Sequence, residues 1–594
     1  MPKKLSKKAA QHRKAQELLQ SNRLVDAGKI YRQITRKNPR DGVAWLMLGI
    51  IQARLTNYDK AVTCLKRAIA INPVDFDAHV NLGQCLNNIG EPEGAIASYQ
   101  KALEINPAHT ATLVLAGNSL VLTDRLMEAE DYYRQALTRD PEYLLARGNL
   151  ANVLAYQGRI REAVENYRQV LKADPGQHAI HSNLLLCLHY DEACSPGDIF
   201  KEHLEWASQH AAMTKTSDYH DNDPDPDRIL RIGYVSPDLR THSVARFTEP
   251  ILRRHDKALF EIYCYVDAGV ADTSAKRLWG LADTVRNTCG MPDDAVADLV
   301  LKDRIDILVD LSGHTENNRL LMFARKPAPV QITYIGYPDT TGLGAIDYRI
   351  SDEHADPPGM TEHLYTETLL RMKTGFLCFS PPLESPAVSS LPAHVNGYIT
   401  FGSFNVMTKI TPDIIKTWAG ILSRLPDSHI LVKNRWLTDT VSQESIIAAF
   451  GKYHIHRNRV DIYGRTTKKD HMAAYGTVDI ALDTYPYNGT TTTCDSLWMG
   501  VPVISRAGQT HVSRTGVSLL SQVKLDDLVA YTEHQYIDKA VELAMDLTRL
   551  DKLRSGLRRM MRNSSLCNER IFTPALEELY RNAWKTWSRD TRAG

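Results

Sequence analysis

At 594 residues the chain is too long for one hydrophobic core and should divide into three or four domains. Its 43% hydrophobic and 24% charged residues are ordinary globular composition, and 71 basic against 70 acidic side chains leave a formal net charge of +1. That balance excludes a partner recognised mainly by its charge, such as nucleic acid or an anionic membrane, and no stretch approaches a membrane span.

The first residues, Met1-Pro2-Lys3-Lys4-Leu5-Ser6-Lys7-Lys8, are basic, but no apolar core follows them as a signal peptide would need, so they read as a solvated helix end. The nine cysteines lack any C-x-x-C pair, which points to a reduced, cytoplasmic compartment. Beyond this start the chain repeats itself. Pro39, Pro73, Pro107, Pro141 and Pro175 stand 34 residues apart, as do Ala27, Ala61, Ala95, Ala129 and Ala163. Gly49, Gly83 and Gly117 keep the same step. Three positions in one register are the tetratricopeptide pattern of stacked helical hairpins. Small residues such as Gly49 and Ala61 let the two helices of a hairpin approach, larger ones such as Leu65 and Ile69 fill the space between hairpins, and each proline ends a helix.

Such a superhelix, expected over residues 1–190, offers a concave face to an extended polypeptide. Asn81, Asn118, Asn149, Asn152 and Asn183 read either as a ladder gripping a peptide backbone or as ordinary turn and surface amides. A homodimer through the convex face is a further expectation that no residue decides. Residues 191–228 are expected as a linker, ending in the Pro/Asp-rich run Asp221 to Asp227, which reads as solvated chain and not as a metal site.

From residue 229 the pattern changes to short apolar runs alternating with helical stretches, the signature of a parallel sheet covered by helices. Strands are expected at 229–235, 261–266 and 305–311 in a first Rossmann-like unit, 229–380. After a Pro/Ser-rich joint, 381–397, a second unit spans 398–594, with strands at 428–433, 460–463 and 480–483. The fold class is therefore an all-α repeat superhelix followed by an α/β region of two Rossmann-like units, with ligands at the carboxyl ends of the strands. The segment Asn488-Gly489-Thr490-Thr491-Thr492-Thr493-Cys494-Asp495 joins a strand to a helix. Its glycine and threonines beside a helix N-terminus are suited to an anion, an ordinary capped turn being the alternative. Asp495 stands where ribose hydroxyls would lie. Lys409, between a strand and the helix starting near Pro412, is placed to neutralise a departing diphosphate.

Taken together, these segments resemble the family of O-linked N-acetylglucosamine transferases and SPINDLY proteins. Asp310-Leu311-Ser312-Gly313-His314-Thr315, Pro327-Ala328-Pro329 and Gly336-Tyr337-Pro338-Asp339-Thr340-Thr341-Gly342 are the most specific stretches. Ile346-Asp347-Tyr348-Arg349-Ile350 and Gly489-Thr490-Thr491-Thr492-Thr493-Cys494 look closer to the SPINDLY branch. The resemblance implies an inverting GT-B glycosyltransferase that needs no metal or cofactor and moves a sugar from UDP-GlcNAc to protein serine or threonine hydroxyls. It implies that His242 lies near acceptor and sugar, that Asp272 helps remove the acceptor proton, and that Lys409 meets the diphosphate. Lys468 and His471 would hold the base, Thr490, Thr491, Thr492 and Asp495 the phosphate and ribose, and Gly336 would offer an amide to the sugar. Two departures touch the pocket. O-GlcNAc transferases carry a histidine where this chain has Thr490, and a glutamine where it has Val406. GDP-fucose, the donor of plant SPINDLY proteins, is therefore an alternative, and an inactive repeat scaffold is another.

Overall fold

The computed structural model describes residues 2–212, 220–269 and 271–593. Met1 and the side chains of residues 2–7, read above as a solvated helix end, lie outside them; the backbone of Pro2–Gln20 is helical. The chain divides into two compact units, Met1–Gln157 and Gly158–Gly594.

The first unit is a stack of helical hairpins. Helices Gly42–Arg54, Phe76–Asn88, Thr110–Leu122 and Leu144–Tyr156 begin at the repeat step, as do Tyr58–Ile71, Pro92–Ile105 and Leu126–Arg139 between them. Before the prolines, Asn38, Asn72, Asn106 and Asp140 leave helical geometry, as the clash with a following proline ring demands. The repeat glycines are set by packing: a Cβ on Gly49 would lie 2.7 Å from Leu65, and one on Gly83 2.5 Å from Tyr99. Leu65, expected between hairpins, thus covers Gly49 inside its own hairpin. The asparagines are partly spent on the stack itself. Asn149 donates to Asn118 Oδ1 at 2.8 Å, which also accepts from Tyr133, while Asn81 donates to the Asp77 carbonyl.

The second unit opens with three more helices, Ile160–Ala173, His178–Leu188 and Pro196–His210. The last of these falls inside the expected linker, because Ser195 caps it with a 3.2 Å bond from the Asp198 amide and Trp206 buries completely; the Pro/Asp-rich run is irregular as expected. Two parallel sheets follow. The first holds β1 (Leu230–Ser236), β2 (Phe260–Val266), β3 (Thr284–Asn287), β4 (Ile307–Asp310), β5 (Val330–Thr333), β6 (Tyr348–Asp352) and β7 (Thr368–Met372), in the order 3-2-1-4-5-6-7. The second holds β8 (Thr400–Ser403), β9 (His429–Lys433), β10 (Val460–Tyr463), β11 (Ile480–Leu482), β12 (Val503–Arg506) and β13 (Val529–Ala530), in the order 10-9-8-11-12-13. The near-continuous apolar strands reflect sheets covered on both faces. In each sheet the order reverses once, between β1 and β4 and between β8 and β11, and those crevices are where open α/β sheets hold ligands.

The final helix, Glu569–Ala593, was expected with the second Rossmann-like unit but returns to the first. Trp584 Nε1 donates to the Asp225 carbonyl, Arg581 to those of Pro226 and Arg228, and Glu577 bonds His255.

Candidate functional site

The loop after β11 is shaped by one buried carboxylate. Asp483 accepts from the Gly489 amide at 2.6 Å, the Thr484 amide at 2.8 Å and Ser505 Oγ at 2.7 Å. Burial pushes its pKa up to about 6, against those hydrogen bonds. Pulling Gly489 back in this way starts helix Thr491–Trp498 directly after the turn. Thr490 makes no side-chain cap bond, so the first-turn amides and the positive end of the helix dipole stay available to an anion. Gly489 admits no side chain: a Cβ would stand 2.3 Å from Thr492 Oγ1 and 2.9 Å from Asn405 Oδ1. Thr492 Oγ1 itself donates to Asn405 Oδ1 at 3.1 Å, joining the loop to the one that follows β8.

Lys409 sits at the end of that second loop, in the short 3-10 turn Met407–Lys409. Its Nζ donates to the Asn488 carbonyl at 2.7 Å and lies 3.9 Å from the centre of the Tyr487 ring. The side chain is partly buried, and desolvation lowers its pKa to about 7 despite the nearby Asp483. Lys409, Gly489 and the start of helix Thr491–Trp498 therefore share one place.

The loop after β1 leads into a helix that reaches helix Thr491–Trp498 from the other sheet. His242 caps helix Ser243–Arg254 and is partly exposed; its Nδ1 is 3.4 Å from the Val244 amide and 3.5 Å from Asp238, too long to fix the tautomer. Burial lowers its pKa, with Asp238 opposing, so the ring is neutral and can accept a proton. Asp272 caps helix Thr273–Trp279 and accepts from the Ala275 amide at 2.7 Å and the Thr241 amide at 2.9 Å. Burial opposes ionisation there, but these amides outweigh it and hold the pKa below the usual carboxylate range. One turn beyond His242, Arg246 grips Asp495 with two bonds of 2.9 and 2.6 Å. Both Asp495 oxygens, expected to face a ribose, are thus already engaged across the two sheets. His471 packs edge-on against Phe404 and Tyr475, and Lys468 is exposed at the start of helix Lys468–Ala474. The Gly336 amide, expected to face a sugar, instead donates to the Tyr334 carbonyl at 2.8 Å. The glycine is needed for a different reason, because a Cβ there would lie 2.0 Å from the Leu311 carbonyl oxygen.

A model of glycosyl transferase family 41 matches residues 155–379 and 386–576, and tetratricopeptide models match 12–61, 53–110 and 120–186. The chain belongs to glycosyl transferase family 41. Among curated relatives, a protein of Oryza sativa subsp. japonica named as probable UDP-N-acetylglucosamine–peptide N-acetylglucosaminyltransferase SPINDLY is 43% identical over 414 residues, covering 68% of this chain and 44% of the relative. The Arabidopsis thaliana SPINDLY protein is 42% identical over 414 residues, covering 68% and 45%, and its SEC protein 29% identical over 366 residues, covering 60% and 37%. The chain therefore spans less than half the length of these relatives, and it is more similar to these SPINDLY proteins than to SEC. Among solved structures, a mutant of the Thermobaculum terrenum O-GlcNAc transferase superposes with a TM-score of 0.82 at 35% identity, covering 87% of this chain and 98% of that one.

In this family 41 chain the sequence did not single out several residues that build the site. Asp483, Asn405, Tyr487 and Arg246 shape or bridge the loops, and only the position of Asp483 after a strand and before a glycine turn signals it. One further cluster stands beside the Gly336 loop. Among the described residues, His189, His203 and Asp339 bring possible metal-ligand atoms within 4.8 Å of one another. The Tyr337 hydroxyl lies 3.0 Å from His189 Nε2 and 2.9 Å from His203 Nε2, however, so both imidazoles already have a partner. The cluster pins helices His178–Leu188 and Pro196–His210 to the first sheet.

Proposed function

We propose that the chain transfers N-acetylglucosamine from UDP-GlcNAc to serine or threonine hydroxyls of polypeptides held by its repeats. The observation that carries this reading is the 2.7 Å bond from Lys409 to the Asn488 carbonyl, which puts a fixed cation beside the glycine-threonine helix start. The acceptor oxygen attacks the anomeric carbon from the face opposite the diphosphate; the bond to the diphosphate breaks and UDP leaves. Lys409 and the amides of Thr491 and Thr492 take up the charge that develops on the leaving group. Positive charge supplied by the chain in this way supports an inverting, metal-independent displacement. His242, neutral and partly exposed, receives the acceptor proton directly or through water. Asp272, held low by two amides, serves better as the anchor of the Thr241-His242 loop than as a base. His471 and Lys468 flank the base, and the nine free cysteines suit a reducing cytoplasm.

A second donor reading, GDP-fucose, is favoured by Thr490 and Val406, which replace the histidine and glutamine of O-GlcNAc transferases. Both readings meet one experiment: thermal unfolding of the purified chain with UDP, GDP and their sugars, alongside transfer of labelled sugar to polypeptide. A nucleotide at a hundred times its Kd stabilises the fold by about 2.7 kcal/mol. UDP and UDP-GlcNAc should raise the melting temperature, UDP-GlcNAc should support transfer, and Lys409→Met should fold normally yet transfer nothing. Transfer from GDP-fucose alone would replace the donor. Wild-type turnover by Lys409→Met would remove the mechanism, and a wild type that transfers from no donor would leave only a scaffold.

A further inference from the structure

The seat of Lys409 is built by residues that lie outside both sheets. Its ammonium rests on the ring of Tyr487 and the carbonyl of the next residue, so the position of that ring decides where the charge stands. Tyr190 stacks on Tyr487, ring centres 5.0 Å apart and planes 23° from parallel. It is itself buried, two residues past the end of helix His178–Leu188, with its amide bonded to the Cys187 carbonyl. The same helix buries Leu184, Leu185, Cys187 and Leu188, so Tyr190 is held by a packed element and not by a loose loop. The backbone of the lysine turn is met from a second direction. Gly158, at φ 79°, lies so close that a Cβ would stand 2.9 Å from the Met407 carbonyl oxygen and 3.7 Å from that of Ile410. One contact fixes the side-chain seat and the other the main chain, and both come from the repeat-like segment that precedes β1.

We infer that Tyr190 and Gly158 are positioning residues for Lys409, bracing the diphosphate cation from the repeat side of the catalytic unit. The inference rests on the proposed role of Lys409. A brace of this kind acts most where charge is greatest. The intact donor is bound mainly by groups that Tyr190 does not touch, whereas the departing diphosphate needs the ammonium in place. Loss of the ring should therefore lower kcat and weaken binding of free UDP, with little change in KM for the sugar nucleotide.

The test compares Tyr190→Ala, Tyr190→Phe and Gly158→Ala with the wild type in the full chain, by steady-state transfer and by calorimetric titration of UDP. Val300→Ala, at a fully buried position of helix Asp293–Asp303 beside the first sheet, serves as the control for simple loss of stability. Tyr190→Ala and Gly158→Ala should lose about tenfold or more in kcat, the scale of one misplaced charge-stabilising group, with donor KM changed less than about threefold. Tyr190→Phe should keep most of the rate, and Val300→Ala should melt earlier without losing kcat at temperatures where it is folded. A Tyr190→Ala enzyme with wild-type kcat overturns the inference, and so does a Tyr190→Phe enzyme as impaired as the alanine variant. If the wild type binds UDP but transfers nothing, the function proposal fails by itself. The brace is then judged on UDP affinity, upheld by a loss of about tenfold confined to the alanine variants and refuted by equal affinity. A wild type that binds neither UDP nor GDP overturns both.

Discussion

The clamp between Arg246 and Asp495 is one of the bonds that hold the two sheets together. Arg246 comes from helix Ser243–Arg254 beside the first sheet and Asp495 from helix Thr491–Trp498 beside the second, and the pair is bidentate, at 2.9 and 2.6 Å. The side chains are 22% and 6% exposed, and the guanidinium also stacks on Phe379, 4.4 Å from the ring centre. Arg246→Ala strands a buried carboxylate whose two oxygens bond Arg246. Breaking such a pair costs about 3–5 kcal/mol, and the lower end applies here because the vacated arginine volume opens to water. At roughly 2 cal/mol/K of unfolding entropy per residue, a unit of more than 400 residues converts 3 kcal/mol into a fall of about 3 °C. Replacing both partners by apolar residues, Arg246→Met with Asp495→Leu, should recover much of this, because no charge is then left unpaired. Scanning calorimetry on Arg246→Ala, Asp495→Ala and the double variant reads the coupling directly. A coupling near 1.5 kcal/mol or more is expected. A coupling below about 0.5 kcal/mol, meaning simple additivity, would refute the view that the pair carries the junction.

Two further outcomes follow from the diphosphate loop. Gly489→Ala forces a Cβ to within 2.3 Å of Thr492 Oγ1, so the turn must open and UDP affinity should fall by about tenfold or more by titration, while a wild-type affinity would deny the loop its role. The lowered pKa of Lys409, about 7, gives a pH dependence whose sign is fixed. The ammonium is present below that value and lost above it, so UDP binding should weaken as pH rises through neutrality, above the range of about pH 6 in which the terminal phosphate of UDP itself takes up a proton. Calorimetric titration across this range should show the slope in the wild type and none in Lys409→Met; the same slope in both would assign it to another group.

What could be read from the sequence was whatever repeats or lies within one loop. The proline and glycine register specified the hairpins because each residue type meets the same steric demand at every step, down to Gly83 under Tyr99. The Gly489–Thr492 turn and Lys409 could be singled out because a glycine followed by hydroxyls at a strand-to-helix junction suits an anion, although an ordinary capped turn has the same pattern. Contacts between distant segments were not. Arg246 and Asp495 are 249 positions apart, and an acidic residue in a first helical turn reads equally as a ribose contact, a dipole partner or half of an ion pair. The final helix is amphipathic, but its pattern does not say which sheet its apolar face will cover. Gly336 was singled out for an amide facing a sugar, whereas the need for glycine that the structure shows is steric, backbone packing on Leu311.

The placement of these residues explains why the chemistry could be assembled from such separate stretches. Each sheet reverses its strand order once, and the loops leaving β1, β8 and β11 at those reversals carry His242, Lys409 and Gly489. A loop at such a point is free of the sheet's hydrogen-bond ladder and can be shaped by side chains alone, which is the work of Asp272 on the first loop and Asp483 on the last. Loops shaped separately still need a fixed spacing, since a displacement of about 1 Å between nucleophile, base and leaving-group cation costs orders of magnitude in rate. Neither sheet can supply that spacing by itself. It must come from elements that touch both, among them the buried His511–Asp356 pair, the Arg246–Asp495 pair across the helices, and the consecutive residues His189 and Tyr190, one bonded to Tyr337 in the first Rossmann-like unit and the other stacked on Tyr487 in the second. If Lys409 acts as proposed, helix His178–Leu188 serves the chemistry as one of these spacers.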